Sequence, residues 1–162
     1  MSETKMMQRR RFVTRIAGLV AVGVTGPRLW AELPGGMSPT PITVYKSSTC
    51  GCCTKWVDHI RANGFAPVVH DLEEMEALKD EMGVPAGVRS CHTGIVEKYL
   101  IEGHVPASDI RRLLAERPKT AGLAVPGMPP LTPGMAPPGV KPRDYEVVAF
   151  EIDGTTRVFS RH

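Results

Sequence analysis

Three of the four cysteines fall within four residues, Cys50-Gly51-Cys52-Cys53. Cys50 and Cys53 have the C-x-x-C spacing of a redox pair. The β-branched run Ile42-Thr43-Val44-Tyr45 precedes them and an apolar helical pattern follows, so the cluster opens a helix. The unpaired amides of a helix N-terminus favour anions and lower thiol pKa values. The resulting thiolate is both the nucleophile of disulfide exchange and a soft-metal ligand. Exchange needs one attacking and one resolving cysteine, which leaves Cys52 without a task. Three clustered thiols, with Cys91 as a fourth, suit Cu(I), zinc or an iron–sulfur cluster. Two structural disulfides are the competing reading. At least one bond would then lie within 50–53 and close a loop too short to constrain much chain. A reversible Cys50–Cys53 disulfide fits either case.

Other soft donors lie further along. Met128 and Met135 stand in matching Pro-Gly-Met units, and a thioether is a neutral donor that selects Cu(I). Loop methionines more often fill gaps. His92 adjoins Cys91, and neighbours on a strand point to opposite faces, so both reach one ion only where the backbone is irregular. His104 precedes Pro106 at the end of a hairpin and can lie near the thiols. His59 is roughly 10 Å along the helix from Cys52, too far to share its ion, and reads as a hydrogen-bonded helix histidine. His70, on the strand that follows, likewise reads as structural and not as a ligand. Trp56 packs the helix on the sheet, and the acidic run from Asp71 to Glu76 is a solvated face. No phosphate-binding loop, paired-carboxylate motif or nucleophilic serine motif is present.

These residues need a scaffold. Ser47, Ser48 and Thr49 offer capping hydroxyls to a helix over 52–63, whose apolar face is Cys53, Trp56, Val57 and Ile60 and whose stop is Asn63-Gly64. A strand over 67–72, a short charged helix over 73–82, a hairpin within 91–105 and a helix from Pro106 with inner face Ile110, Leu113 and Leu114 follow. The order β-α-β-α-β-β-α predicts an α/β thioredoxin-like core over 42–116. Residues 117–143 hold eight prolines and four glycines, which predicts a long irregular loop. Asp153-Gly154 marks a C-terminal β-hairpin within 144–162.

The formal charge is +3, which invites a nucleic-acid reading. Residues 1–31 alone carry +5, leaving −2 on the remainder. Arg9-Arg10-Arg11-Phe12-Val13 has the twin-arginine pattern, and the apolar run 16–24 is too short to span a bilayer. Residues 1–31 read as an export signal ending near Ala31, and 32–41 as a Gly/Pro-rich linker. Nucleic-acid binding and stable membrane insertion lose their support.

Thr49-Cys50-Gly51-Cys52-Cys53, Trp56, His59, Ser90-Cys91-His92-Thr93, Gly103-His104-Val105-Pro106 and Val125-Pro126-Gly127-Met128-Pro129 occur in this order. Together they resemble the CopG-like periplasmic metal-binding family, long known as a domain of unknown function. The resemblance spans about residues 40–137. It implies a thioredoxin-like fold and Cu(I) held by the cysteines with histidine or methionine help. It further implies a periplasmic role in copper tolerance, with copper ions and other copper-handling proteins as partners. The expected metal ligands are Cys50, Cys52, Cys53, Cys91, His92, His104, Met128 and Met135, for one or more Cu(I) ions. A thiol–disulfide oxidoreductase using Cys50 and Cys53, an iron–sulfur carrier and a zinc site are the alternatives. Whether the chemistry is catalytic stays open at this level.

Overall fold

The computed structural model describes residues 38–162. The expected export signal, residues 1–31, lies outside the described residues, as do residues 32–37. The element order is β1 (Thr40–Lys46), α1 (Gly51–Ala62), β2 (Phe65–Asp71), α2 (Met75–Glu81), a single 3-10 turn (Ala86–Val88), β3 (His92–Val96), β4 (Tyr99–Glu102), α3 (Ala107–Glu116), β5 (Gly122–Ala124), β6 (Glu146–Phe150) and β7 (Thr156–Arg161). The strands form one mixed sheet in the order β2-β1-β3-β4-β5-β6-β7. β1 runs parallel to β2 and antiparallel to β3, which places Lys46 opposite both Asp71 and His92. β3 and β4 pair antiparallel with Thr93 opposite Glu102. Among the described residues no helix is long and apolar enough to cross a membrane.

Side chains alternate across a strand, and the two faces bury different cores. Tyr99 and Ile101 of β4 and Val147 and Ala149 of β6 join Trp56, Val57 and Ile60 of α1 and Ile110 and Leu113 of α3. Leu114 packs at the margin of that core. On the opposite face Leu100, Ala124, Val148 and Phe150 meet Met82, Val84 and Val88 beside α2 and the 3-10 turn. Each fully buried large apolar side chain contributes about 1.5–3 kcal/mol relative to exposure. The sheet is thus held between helical layers, and the C-terminal hairpin β6–β7 extends it instead of standing apart.

Two expectations change. The stretch 117–143 is not irregular throughout, because Gly122-Leu123-Ala124 forms β5, parallel to β4 and antiparallel to β6. These three residues fall between Pro118 and Pro126, and all are buried. Two ladders and burial outweigh the low strand propensity of glycine and alanine. The hydroxyls before α1 do not cap it either. Those of Ser47 and Thr49 bond each other at 3.0 Å. The N-cap is Cys50, whose sulfur accepts from the Cys53 amide at 3.3 Å.

Candidate metal centre

The cluster opens α1 as its spacing predicts. Cys50 and Cys53 form a disulfide with their Cα atoms 5.3 Å apart, and Cys52 and Cys91 are free thiols. Cys53 is fully buried beneath the partly exposed Cys50 and Cys52. Cys52 Sγ lies 3.5 Å from Cys50 Sγ. The fold carries Cys91 to the same place, and all four sulfurs lie within 4.8 Å of one another.

Cys91 belongs to a second group of donors. Its sulfur is 3.3 Å from His92 Nδ1 and 3.3 Å from His104 Nε2. The two sequence neighbours reach one point because Cys91 sits in a bend and β3 begins only at His92, so strand alternation does not apply to the pair. Both imidazoles are fully buried. Burial, with His104 and Lys79 nearby, holds His92 well below the ordinary histidine range. Burial also lowers His104, against the hydrogen bond it makes to Pro133. Both rings are therefore neutral near pH 7, the form that ligates metals. Burial and the neighbouring Cys52 push the Cys91 thiol up to about 11, so a metal ion binding there must displace a proton.

The expected loop folds back onto the site. His104 Nδ1 donates to the Pro133 carbonyl at 2.7 Å, which leaves Nε2 facing Cys91. A backbone carbonyl on the far nitrogen is how proteins orient a ligating imidazole. Gly134 follows with φ +85°, where a Cβ would stand 2.7 Å from the Trp56 amide nitrogen and 3.1 Å from the Cys52 carbonyl. Only glycine lets the loop lie this close to the first turns of α1. Met135 comes next and is half-buried, whereas Met128 is half exposed in the turn after Pro126. The floor is Trp56, whose Nε1 donates to Val105 O at 2.8 Å and whose ring lies 4.3 Å from that of His92. His92 Nε2, buried under this ring, has no hydrogen-bond partner. A buried polar atom without a partner calls for an explanation, and a bound ion is one that this donor set can supply.

His59 and His70 have structural partners. His59 Nε2 accepts from the Ala107 amide at 3.2 Å and caps α3, whose N-cap Pro106 offers no side-chain acceptor. His70 stacks on Tyr45 at the exposed edge. Asp71, Glu73, Glu74 and Glu76 are solvated, with Asp71 paired to Lys46 at 2.7 Å.

One buried network escapes sequence reasoning. Lys79 Nζ, fully buried, donates to Glu102 Oε2 at 2.7 Å and Thr93 Oγ1 at 2.8 Å. Glu102 Oε2 also accepts from the Ser90 amide at 3.0 Å, and Thr93 Oγ1 donates to Oε1. Burial raises the Glu102 carboxyl, and Lys79 opposes that shift. Removing one partner of such a pair costs about 3–5 kcal/mol. One signal was available: Lys79 follows Met75 by four residues and precedes Met82 by three, which places it on the inner stripe of α2.

The donors are four sulfurs and two imidazoles, with no carboxylate among them. That set fits a soft or borderline ion and argues against calcium or magnesium. With Cys50 and Cys53 joined, two thiols and two imidazoles remain available. Reduction adds two more thiols.

Comparison with known proteins agrees. The family described as a protein of unknown function, DUF411, matches residues 88–135, a span that contains Cys91, His92, His104, Met128 and Met135. No curated protein matches the chain. Two solved structures, described as Form 1 and Form 2 of copper resistance protein CopG, are 42% identical to it with a TM-score of 0.69. Each match covers 76% of this chain and 98% of that one. At that identity over nearly the whole of the relative, and with the cysteine cluster assembled as described, this chain belongs to the CopG-like family.

Proposed function

We propose that this chain is an exported, thioredoxin-like protein that holds Cu(I) and serves the sequestration, transfer or redox handling of copper in copper tolerance. One observation carries the reading: the Cys91 thiol stands both within 4.8 Å of the other three sulfurs and 3.3 Å from two neutral imidazoles. The relatives of this fold and identity are described as copper resistance proteins. The strand order β2-β1-β3-β4, with β3 antiparallel to both of its neighbours, supports the thioredoxin-like assignment.

In this reading Cys52, Cys91, His92 and His104 ligate, joined by Cys50 and Cys53 once their disulfide is reduced. Six donors that share one thiol, Cys91, suit more than one ion. Met135, beside the roof residue Gly134, supplies a thioether, and Met128 serves an ion at the exposed edge. Bound copper supplies one-electron redox chemistry and a soft Lewis acid. The protein's own residues orient the donors, exclude water at His92 and His104, and give up the Cys91 proton on loading. The order of basic, apolar and cleavage zones in residues 1–31 supports delivery to the periplasm by the twin-arginine route. N-terminal sequencing of the exported protein tests that part, which fails if residues 1–31 are retained. The test of the copper site is Cys52→Ser. Copper content should fall with the fold unchanged, and unchanged copper content refutes the ligand set.

A second reading has its own support, the Cys50–Cys53 disulfide with Cys50 outward and Cys53 buried. As a thiol–disulfide oxidoreductase the reduced protein would attack a substrate disulfide through Cys50, and Cys53 would displace the reduced substrate. An external dithiol would then restore the pair. Metal-free turnover of a disulfide substrate, with Cys53→Ser trapping the mixed disulfide, would establish it.

A further inference from the structure

Cys91, His92 and His104 are bracketed in sequence by Ser90, Thr93 and Glu102, and those three meet in the buried network closed by Lys79. Glu102 Oε2 takes the Ser90 amide and the Lys79 ammonium, and Thr93 bridges Lys79 to Oε1. The two chain segments are tied again where the Gly103 amide donates to His92 O at 3.0 Å. Gly103 has φ +69°, and a Cβ there would stand 2.7 Å from Ser90 Cβ. Arg89 fixes the same bend to α2 and its exit, donating to Val84 O at 3.0 Å and Glu76 Oε2 at 2.9 Å.

We propose that Glu102 is a positioning residue of the metal centre: its carboxylate, charge-balanced by Lys79, is a buried clamp that sets where the Cys91 sulfur stands relative to the His92 and His104 nitrogens. The inference rests on the metal-binding reading above. Fold stability alone does not call for this arrangement, because well-packed apolar side chains of similar volume commonly replace a buried ion pair at no loss. An apolar pair cannot accept the Ser90 amide, and that amide lies one residue from the thiol. Without the acceptor the bend at 90–91 is free to turn, and the Cys91 sulfur leaves its place between the two rings. Groups that orient metal ligands from behind typically carry 10–100-fold of affinity.

The experiment compares two double variants of the reduced protein. Lys79→Met with Glu102→Gln removes both charges and keeps an acceptor for the Ser90 amide. Lys79→Met with Glu102→Leu removes the acceptor too. Each is measured for Tm, for Cu(I) affinity against a chromophoric Cu(I) chelator, and for the rate at which iodoacetamide alkylates Cys91 in the metal-free protein. The clamp predicts near-native Tm and near-native Cu(I) affinity for the Gln pair. It predicts a loss of about 10–100-fold for the Leu pair, with faster Cys91 alkylation. Equal affinity and equal alkylation in two folded variants overturns it. If the Leu pair does not fold, Thr93→Val takes its place, with an expected loss of about fivefold, and native affinity with native alkylation overturns the clamp. Cys91→Ser separates the two ideas. If that variant keeps full Cu(I) affinity, the ligand assignment of Cys91 falls, and the metal-free alkylation rates alone decide the clamp.

Discussion

His104 gives its Nδ1 proton to the carbonyl of Pro133 at 2.7 Å and so presents Nε2 to Cys91. The bond ties the proline-rich loop to the centre of the site. The loop is then a roof with a structural duty, and its residues can be tested apart from the donors.

Gly134 is the sharpest test of the roof. Gly134→Ala must place a methyl 2.7 Å from the Trp56 amide nitrogen while holding φ near +85°. Backbone cannot yield as a flexible side chain can, so the loop must lift. The expected cost is about 1–3 kcal/mol of stability, read by denaturant unfolding. Cu(I) affinity should fall as well, because His104 loses its anchor. An unchanged midpoint and unchanged affinity would show that the loop does not close on α1.

Trp56 supports the site from below. Trp56→Phe keeps most of the buried ring but leaves the Val105 carbonyl without its 2.8 Å donor. An unmet buried acceptor costs about 1–3 kcal/mol. Because Val105 follows His104, the second expected effect is weaker Cu(I) binding, measured by chelator competition on the same samples.

His59 gives a pH dependence whose sign is fixed. Burial first, then the Arg111 guanidinium, then His104 once it takes up a proton, hold its pKa below 6.5, and its Nε2 must stay unprotonated to accept from Ala107. The unfolded chain therefore binds a proton more readily. The stabilising contribution is fully present above about pH 6.5 and is lost as pH falls through the lowered folded value. Metal-free protein should show a falling denaturation midpoint from pH 7 towards pH 5, and His59→Gln should flatten that slope. An equal slope in the variant would place the acid sensitivity elsewhere.

Much of the site was legible because its chemistry is local. The N-terminal position of Cys50, Cys52 and Cys53 follows from a strand, a short turn and a helical stripe. Trp56 and His59 behave as their helix positions predict. Cys91 and His92 were harder, since strand alternation separates them and only the bend before β3 reunites them. The clamp of Lys79 and Glu102 stayed hidden because charged residues default to solvent, and a pairing 23 residues apart leaves no periodic trace. His162 was opaque for the same reason: stacked on Tyr145 and 2.7 Å from Asp109, it ties the residue after β7 to α3. β5 was lost among prolines, because it takes only three of the seven residues between Pro118 and Pro126.

The most direct test of the copper assignment is thiol protection during Cu(I) titration. Reduced protein is titrated with Cu(I), and at each step iodoacetamide labelling is read by peptide mass spectrometry. The account predicts that Cys50, Cys52, Cys53 and Cys91 are shielded together as copper loads, and that the disulfide form takes up less copper with only Cys52 and Cys91 changing. Bound copper with all four thiols still alkylating at metal-free rates would contradict it.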